Sequence, residues 1–354
     1  MKKIGLIVLT VLLVLTLLGC GAQPAAGGQE TSAAASETET LAAEETSAAP
    51  QTGGAKIGVS FDSLVSPFWV ANLDAMEEAS QAAGMELVTV MAEGDATKQN
   101  QQIENLIAQG VDAIVCGPKD SGAIVSSVKK CKDAGIPMIM DNRSVTGDVL
   151  PDVQVVADNK TMATDVLDTF AEIARKEGKS YKAILLIGSL SDENAVLRKQ
   201  GHDEAIAANS DVYDIVAEVP TDWNLDTALK GLQNALQANP DIDLIISPSD
   251  YLWPPIRSSL EQTGRWAKIG EENHVAVVSF DGDEVGMQYM KDGYSEANAA
   301  QDAVLEGQMC IEWAQKLLNG ETPEENILYD PGKIITFENF EEVGPTIYSY
   351  GLLK

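Results

Sequence analysis

The feature that most constrains this chain is an alternation, beginning at Ala55, of short β-branched runs with amphipathic stretches. Lys56-Ile57-Gly58-Val59-Ser60-Phe61 reads as a strand, followed by a helical stretch from Phe68 to about Ala83. Residues 86–90 and 112–116 are further strands, with a helix over 97–109 between them. A third helix, from near Ser121 to Ala134, leads to Pro137-Met138-Ile139-Met140 and then Asp141. Gly84, Gly110 and Gly135 stand where helix C-caps belong. Short apolar strands alternating with helices make a parallel sheet covered on both faces.

The same syntax then starts again. Strands over 183–187, 213–219, 243–247 and 275–280 alternate with helices over 194–209 and 225–238. Each half has a strand that delivers an aspartate at its carboxyl end, Asp141 in the first and Asp281 in the second. Ligands of open α/β sheets sit beyond those ends. Two such sheets facing each other aim their loops into one cleft.

Charge and motifs exclude several function classes. The 354 residues hold 54 acidic and 24 basic side chains, a formal net charge of -30. Such a surface repels phosphate backbones, so no nucleic-acid partner is expected. His202 and His274 have no metal-ligand spacing, and there is no G-x-S-x-G elbow, P-loop or G-x-G-x-x-G after a strand. Asp281-Gly282-Asp283 lacks the later acids of a calcium loop. No metal, cofactor or enzymatic activity is expected. Cys116, Cys131 and Cys310 are too irregularly spaced for a disulfide framework.

The first residues belong to targeting, not to the fold. Lys2 and Lys3 precede an apolar run from Ile4 to Leu18, too short for a comfortable transmembrane helix. The run ends in Leu17-Leu18-Gly19-Cys20, which resembles the bacterial lipobox and implies a lipid on Cys20. Residues 1–20 are thus expected to be a signal peptide. Residues 21–54, nearly all Ala, Gly, Ser, Thr, Glu, Gln and Pro, are expected to be a flexible linker.

Several segments together resemble the periplasmic-binding-protein family of the ribose and galactose type. They are Ser66-Pro67-Phe68-Trp69, residues 137–143, residues 194–201, residues 277–282 and Ala297-Asn298-Ala299-Ala300-Gln301. The resemblance implies an α/β fold of type I, two doubly wound parallel-sheet lobes joined by a three-stranded hinge. It places the N-terminal lobe at 55–158 and 301–331, and the C-terminal lobe at 159–300 and 332–354. It also implies a monomer that captures a small sugar and delivers it to an ABC transporter permease from a lipid anchor outside the cytoplasm. A ligand-presenting sensor for a sugar, polyol, nucleoside or autoinducer is the alternative.

Sugars present apolar C–H faces that stack on aromatic rings, and hydroxyls that planar polar side chains grip in pairs. Phe68, Trp69 and Trp223 match the family's aromatic walls, and Trp253, at a strand end, is a further candidate. Asp141 and Asp281 end apolar strands; Arg198 and Gln301 match the family's gripping residues. Asn142 separates Asp141 from Arg143, so either Asn142 or Arg143 takes the place of the family's arginine. Asp250 follows Ser249 where the family has Asn-Asp. Gly117 stands where the family has a polar contact.

Overall fold

The structure, a computed structural model, describes residues 54–354. The expected signal peptide with Cys20, and the linker apart from Gly54, lie outside the described residues.

The first half runs β1 (Lys56–Phe61), α1 (Pro67–Ala82), β2 (Glu86–Met91), α2 (Ala96–Ala108), β3 (Ala113–Gly117), α3 (Val125–Ala134), β4 (Met138–Asn142) and β5 (Val153–Ala157). The second runs α4 (Asn159–Glu177), β6 (Tyr181–Ile187), α5 (Glu193–Ala208), β7 (Tyr213–Pro220), α6 (Leu225–Ala238) and β8 (Leu244–Ile246). It continues through α7 (Trp253–Gln262), β9 (Ala276–Asp281), α8 (Glu284–Lys291) and β10 (Ala297–Ala300). Then come α9 (Ala303–Leu318), β11 (Ile327–Asp330), β12 (Lys333–Thr336) and α10 (Phe340–Val343).

These strands make two six-stranded sheets, ordered β11-β5-β4-β3-β1-β2 and β12-β10-β9-β8-β6-β7. The first is parallel throughout, and the second is parallel except where β12 runs against β10. Strands β3, β4, β5 and β9 are buried at every position, as parallel strands sandwiched between helix layers must be. The edge strands β2 and β7 keep partly exposed residues.

In the first lobe, Phe61, Met76, Ile139 and Ile311 pack the sheet against α1 and α9. Ile103, Leu106, Ile114 and Val128 pack its other face against α2 and α3. The second lobe repeats this, with Val166, Phe170 and Leu185 under α4, and Leu232, Ile245 and Trp253 under α6 and α7. Each fully buried aliphatic or aromatic side chain contributes about 1.5–3 kcal/mol. Cys116, Cys131 and Cys310 are buried free thiols within these layers.

The chain leaves the first sheet after β5, returns after β10 and leaves again between β11 and β12. Asp330 ties the last two crossings together: its carboxylate accepts from the backbone N–H groups of Asp302 and Gly332, at 2.5 and 2.9 Å.

Helix α3 starts later than the sequence suggested, at Val125. Asp120 Oδ1 accepts from the N–H groups of Gly122 and Ala123, which winds residues 120–123 into a turn. That turn leaves Ser121 free to reach the second lobe. Its N–H donates to Ser191 O at 3.0 Å, and its hydroxyl accepts from Glu193 N–H at 3.2 Å. The lobes are therefore closed on one another.

Candidate functional site

Two tryptophans face the cleft from opposite lobes, each laid over a glycine. Ser66 caps α1 by accepting from Phe68 N–H at 3.3 Å, and Pro67 starts the helix. Phe68 and Trp69 therefore sit on its first turn. The Trp69 ring packs on Phe61 with centroids 5.1 Å apart, and Phe68 meets it edge-on at 5.4 Å. Gly117 makes room: a Cβ there would stand 2.9 Å from the Trp69 ring. In the second lobe the Trp223 ring covers Gly188, just past β6, where a methyl group would overlap it. Trp223 has φ 52° and donates its indole N–H to Asp192 at 2.8 Å.

Between the tryptophans runs a continuous polar relay. Asn194 Nδ2 donates to Asn142 Oδ1 at 2.9 Å, and Asn142 Nδ2 donates to Gln301 Oε1 at 3.0 Å. Gln301 Nε2 donates to Asp281 Oδ1 at 2.8 Å, which also accepts from Arg198 Nη1 at 2.8 Å. Ser249 donates to the other Asp281 oxygen at 2.5 Å. The Arg198 guanidinium lies 3.7 Å from the Phe280 ring centroid, and its Nε donates to Asn159 at 2.7 Å. The relay thus begins on the second lobe, passes through β4 of the first, and returns through the second chain crossing. Asn142 and Asp281 hold left-handed backbone, φ 61° and 110°. Such strain costs about 1–3 kcal/mol per residue and persists only where neighbours over-determine it.

Arg143 bridges the lobes. Its Nη1 donates to Pro118 O at 3.0 Å and to Asp62 at 3.3 Å, both in the first lobe. Its Nε lies 3.1 Å from Asp192 of the second, and its guanidinium is 5.2 Å from the Trp69 ring centroid. Both Arg143 and Asn142 thus face the cleft, where the sequence left one of the two to be chosen.

Phe68, Trp69, Asn142, Arg143, Arg198, Trp223, Asp281 and Gln301 line one cavity of about 640 Å³. Asp141, Asp250 and Trp253 do not. Alternation along β4 sends Asp141 to the same face as Ile139, toward α1 and α9. There it accepts from Asn72 Nδ2 at 3.2 Å and from Cys310 at 3.5 Å. Burial pushes its carboxyl up to about 7, against the opposing pull of Asn72, Cys310 and Arg143. Asp250 buttresses loops from beneath: Asn298 Nδ2, Trp253 Nε1 and Asp283 N–H all donate to it. Trp253 is fully buried, packed on Tyr289 at 4.6 Å between centroids.

Asp62, Lys119, Asp192 and Tyr251, none of them among the residues expected from the sequence, also line the cavity. Asp192 had one visible signal, its place as N-cap of α5, where it accepts from Asn194 N–H. Burial raises the Asp281 carboxyl above its ordinary range, while Arg198 and Ser249 hold it down. Beneath the relay, Glu306 accepts from Asn142 Nδ2 at 2.9 Å. Burial, then the neighbouring Asp141 and Asp330, push its carboxyl well above the usual value.

A cleft of this kind, closed across a relay threaded through the crossings, suits a binding protein that shuts on its ligand. Residues 57–322 match the family described as periplasmic binding protein domain. The chain belongs to the periplasmic-binding-protein family. It is 31% identical over 300 residues to a putative rhizopine-binding protein of Rhizobium meliloti, covering 84% of this chain and 94% of the relative. It is 28% identical to the ribose import binding protein of Bacillus subtilis, over 79% of this chain and 88% of that one. An ABC transporter solute binding protein from Bacillus halodurans, solved with bound myo-inositol, superposes with a TM-score of 0.72 at 26% identity, covering 83% and 98% of the two chains. Like these relatives, this periplasmic binding protein is not an enzyme.

Proposed function

We propose that the protein captures a small sugar or polyol between its lobes outside the cytoplasm and hands it to an ABC importer permease, tethered by a lipid on Cys20. The observation that carries this reading is the relay from Asn194 to Asp281 beside two tryptophan faces. A hydroxyl both donates and accepts, so the alternating amides, carboxylate and guanidinium of the relay match vicinal hydroxyls. The tryptophan faces match the apolar side of a ring. The names of the relatives, a ribose importer component and a protein with bound myo-inositol, support the same ligand class.

Closure supplies the mechanism. Groups from both lobes converge on one ligand only in the closed arrangement, so binding shifts the population toward it. Asn142 and Arg143 offer contacts from one lobe, Arg198 and Asp281 from the other. A permease that recognises the closed pair of lobes then responds to loaded protein.

A thermal-shift screen against monosaccharides, polyols and nucleosides tests the reading. A ligand at 100 times its Kd stabilises the folded state by about 2.7 kcal/mol. The expected result is a rise in melting temperature with one or more sugars or polyols and none with nucleosides. A rise with nucleosides alone would exclude the sugar reading.

A further inference from the structure

The aim of Asp281 is set from outside the cleft, by the end of the chain. Asp281 and Gly282 are successive residues with positive φ, 110° and 67°. An aspartate with that backbone is strained and stays so only where its neighbours fix it. On the cleft side Arg198, Gln301 and Ser249 hold its carboxylate. Those bonds restrain the side chain, and other groups restrain the turn.

The peptide unit between Gly282 and Asp283 is pinned at both ends. Its N–H donates to Asp250 Oδ2 at 3.1 Å, and its carbonyl accepts from Ser349 Oγ at 2.6 Å. Ser349 is fully buried. Gly282 is also wedged in place. A Cβ there would stand 2.4 Å from Ala300 Cβ and 3.4 Å from Ile347 Cγ2. The turn therefore packs against both the second chain crossing and the C-terminal tail.

The tail is itself well fixed. Ile347 shares an apolar cluster with Met287 and Met290 of α8, Ile335 of β12 and Phe340 of α10. Lys333 Nζ donates to Thr346 O at 2.8 Å. Tyr348 packs against this cluster and against the core of the first lobe, so both lobes hold the tail. All of these tail residues lie beyond 57–322, the span that matches the family.

We propose that Ser349 is a positioning residue for ligand binding. Its hydroxyl, with the Ile347 side chain, fixes the Asp281–Gly282 turn, and the turn aims the Asp281 carboxylate into the cleft. A carboxylate held in place before the ligand arrives spares the cost of ordering it on binding. The proposal rests on the sugar reading above, through Asp281 as a ligand contact.

Two variants of the full chain test it, Ser349→Ala and Lys333→Met. The first removes the bond to the turn. The second loosens the tail at Thr346 and leaves the Gly282 carbonyl its donor. Calorimetric titration with D-ribose and with myo-inositol measures affinity, and hydrogen exchange without ligand measures protection over residues 281–286. Ser349→Ala is expected to weaken the tighter-binding probe about fivefold, the worth of one hydrogen bond. It should also speed exchange of the Asp283 N–H by about fivefold. Lys333→Met should change neither. Faster exchange confined to 281–286 excludes general unfolding as its cause. Affinity within about twofold of the parent, unchanged exchange over 281–286, or equal effects of Lys333→Met would each overturn the positioning role and leave the sugar reading standing. Failure of both probes to bind the parent would count against the sugar reading, and the exchange comparison alone would then support or overturn the hold of Ser349 on the turn.

Discussion

Replacing Asp281 with alanine is expected to weaken ligand binding by about 100-fold or more, on the basis that two charge-assisted bonds at about 1.5–3 kcal/mol each are lost or misdirected. Asp281 is the hub of the relay: Arg198 and Gln301 converge on Oδ1 and Ser249 on Oδ2. Without it, the Arg198 guanidinium keeps Asn159 and Pro248 O but loses its carboxylate in a buried site. Breaking a buried pair by removing one partner typically costs about 3–5 kcal/mol. For a domain of this size that lowers the melting temperature on the order of 10 °C. Asp281→Asn, which keeps the shape and an acceptor oxygen, should lose less on both counts. Calorimetry with the tightest ligand, alongside thermal unfolding, measures the two effects. An alanine variant with affinity within about threefold of the parent would remove Asp281 from the site.

Gly188→Ala is expected to damage binding while sparing the fold. A methyl group at residue 188 would overlap the Trp223 ring, so the ring must move. Overpacking of this kind in a closed core costs about 1–3 kcal/mol. Here the ring borders the cavity, and the open space available to it is the volume the ligand needs. Moving it also breaks the 2.8 Å bond from its indole to Asp192, the carboxylate that receives Arg143 from the other lobe. The expected outcome is an affinity loss of at least about tenfold, or 1.4 kcal/mol, with a melting temperature within a few degrees of the parent. Unchanged affinity would mean that the Trp223 ring does not border the ligand.

The contrast between these residues and those outside the cavity shows what the sequence could carry. The buried strands announce themselves because a parallel strand covered on both faces must be apolar throughout, as in Ala113–Gly117. Strand β10 is Ala-Asn-Ala-Ala, with no β-branched residue, and is a strand only because a slot beside β9 and β12 awaits it. The placement of Asp141 turned on a single register step. Asn142, inserted before Arg143 and held at φ 61°, faces the relay, while Asp141 follows the pleat to the opposite side. Asp192 was hidden for another reason. Asp95, Asp158 and Asp302 cap helices in the same way. Only three dimensions show that the second oxygen of Asp192 meets Trp223 and Arg143. Trp253 follows a strand as Trp223 does, yet lies in the core. Position after a strand says that a ring is near the cleft end, not which way it turns.

A crystal structure of the protein with the tightest ligand from the thermal-shift screen tests the central claim most directly. The expected result is a ring between the Trp69 and Trp223 faces, with hydroxyl oxygens within about 3.2 Å of Asp281 and Arg198. Ligand density outside the space between the lobes, with the Asn142–Gln301–Asp281 relay untouched, would contradict it.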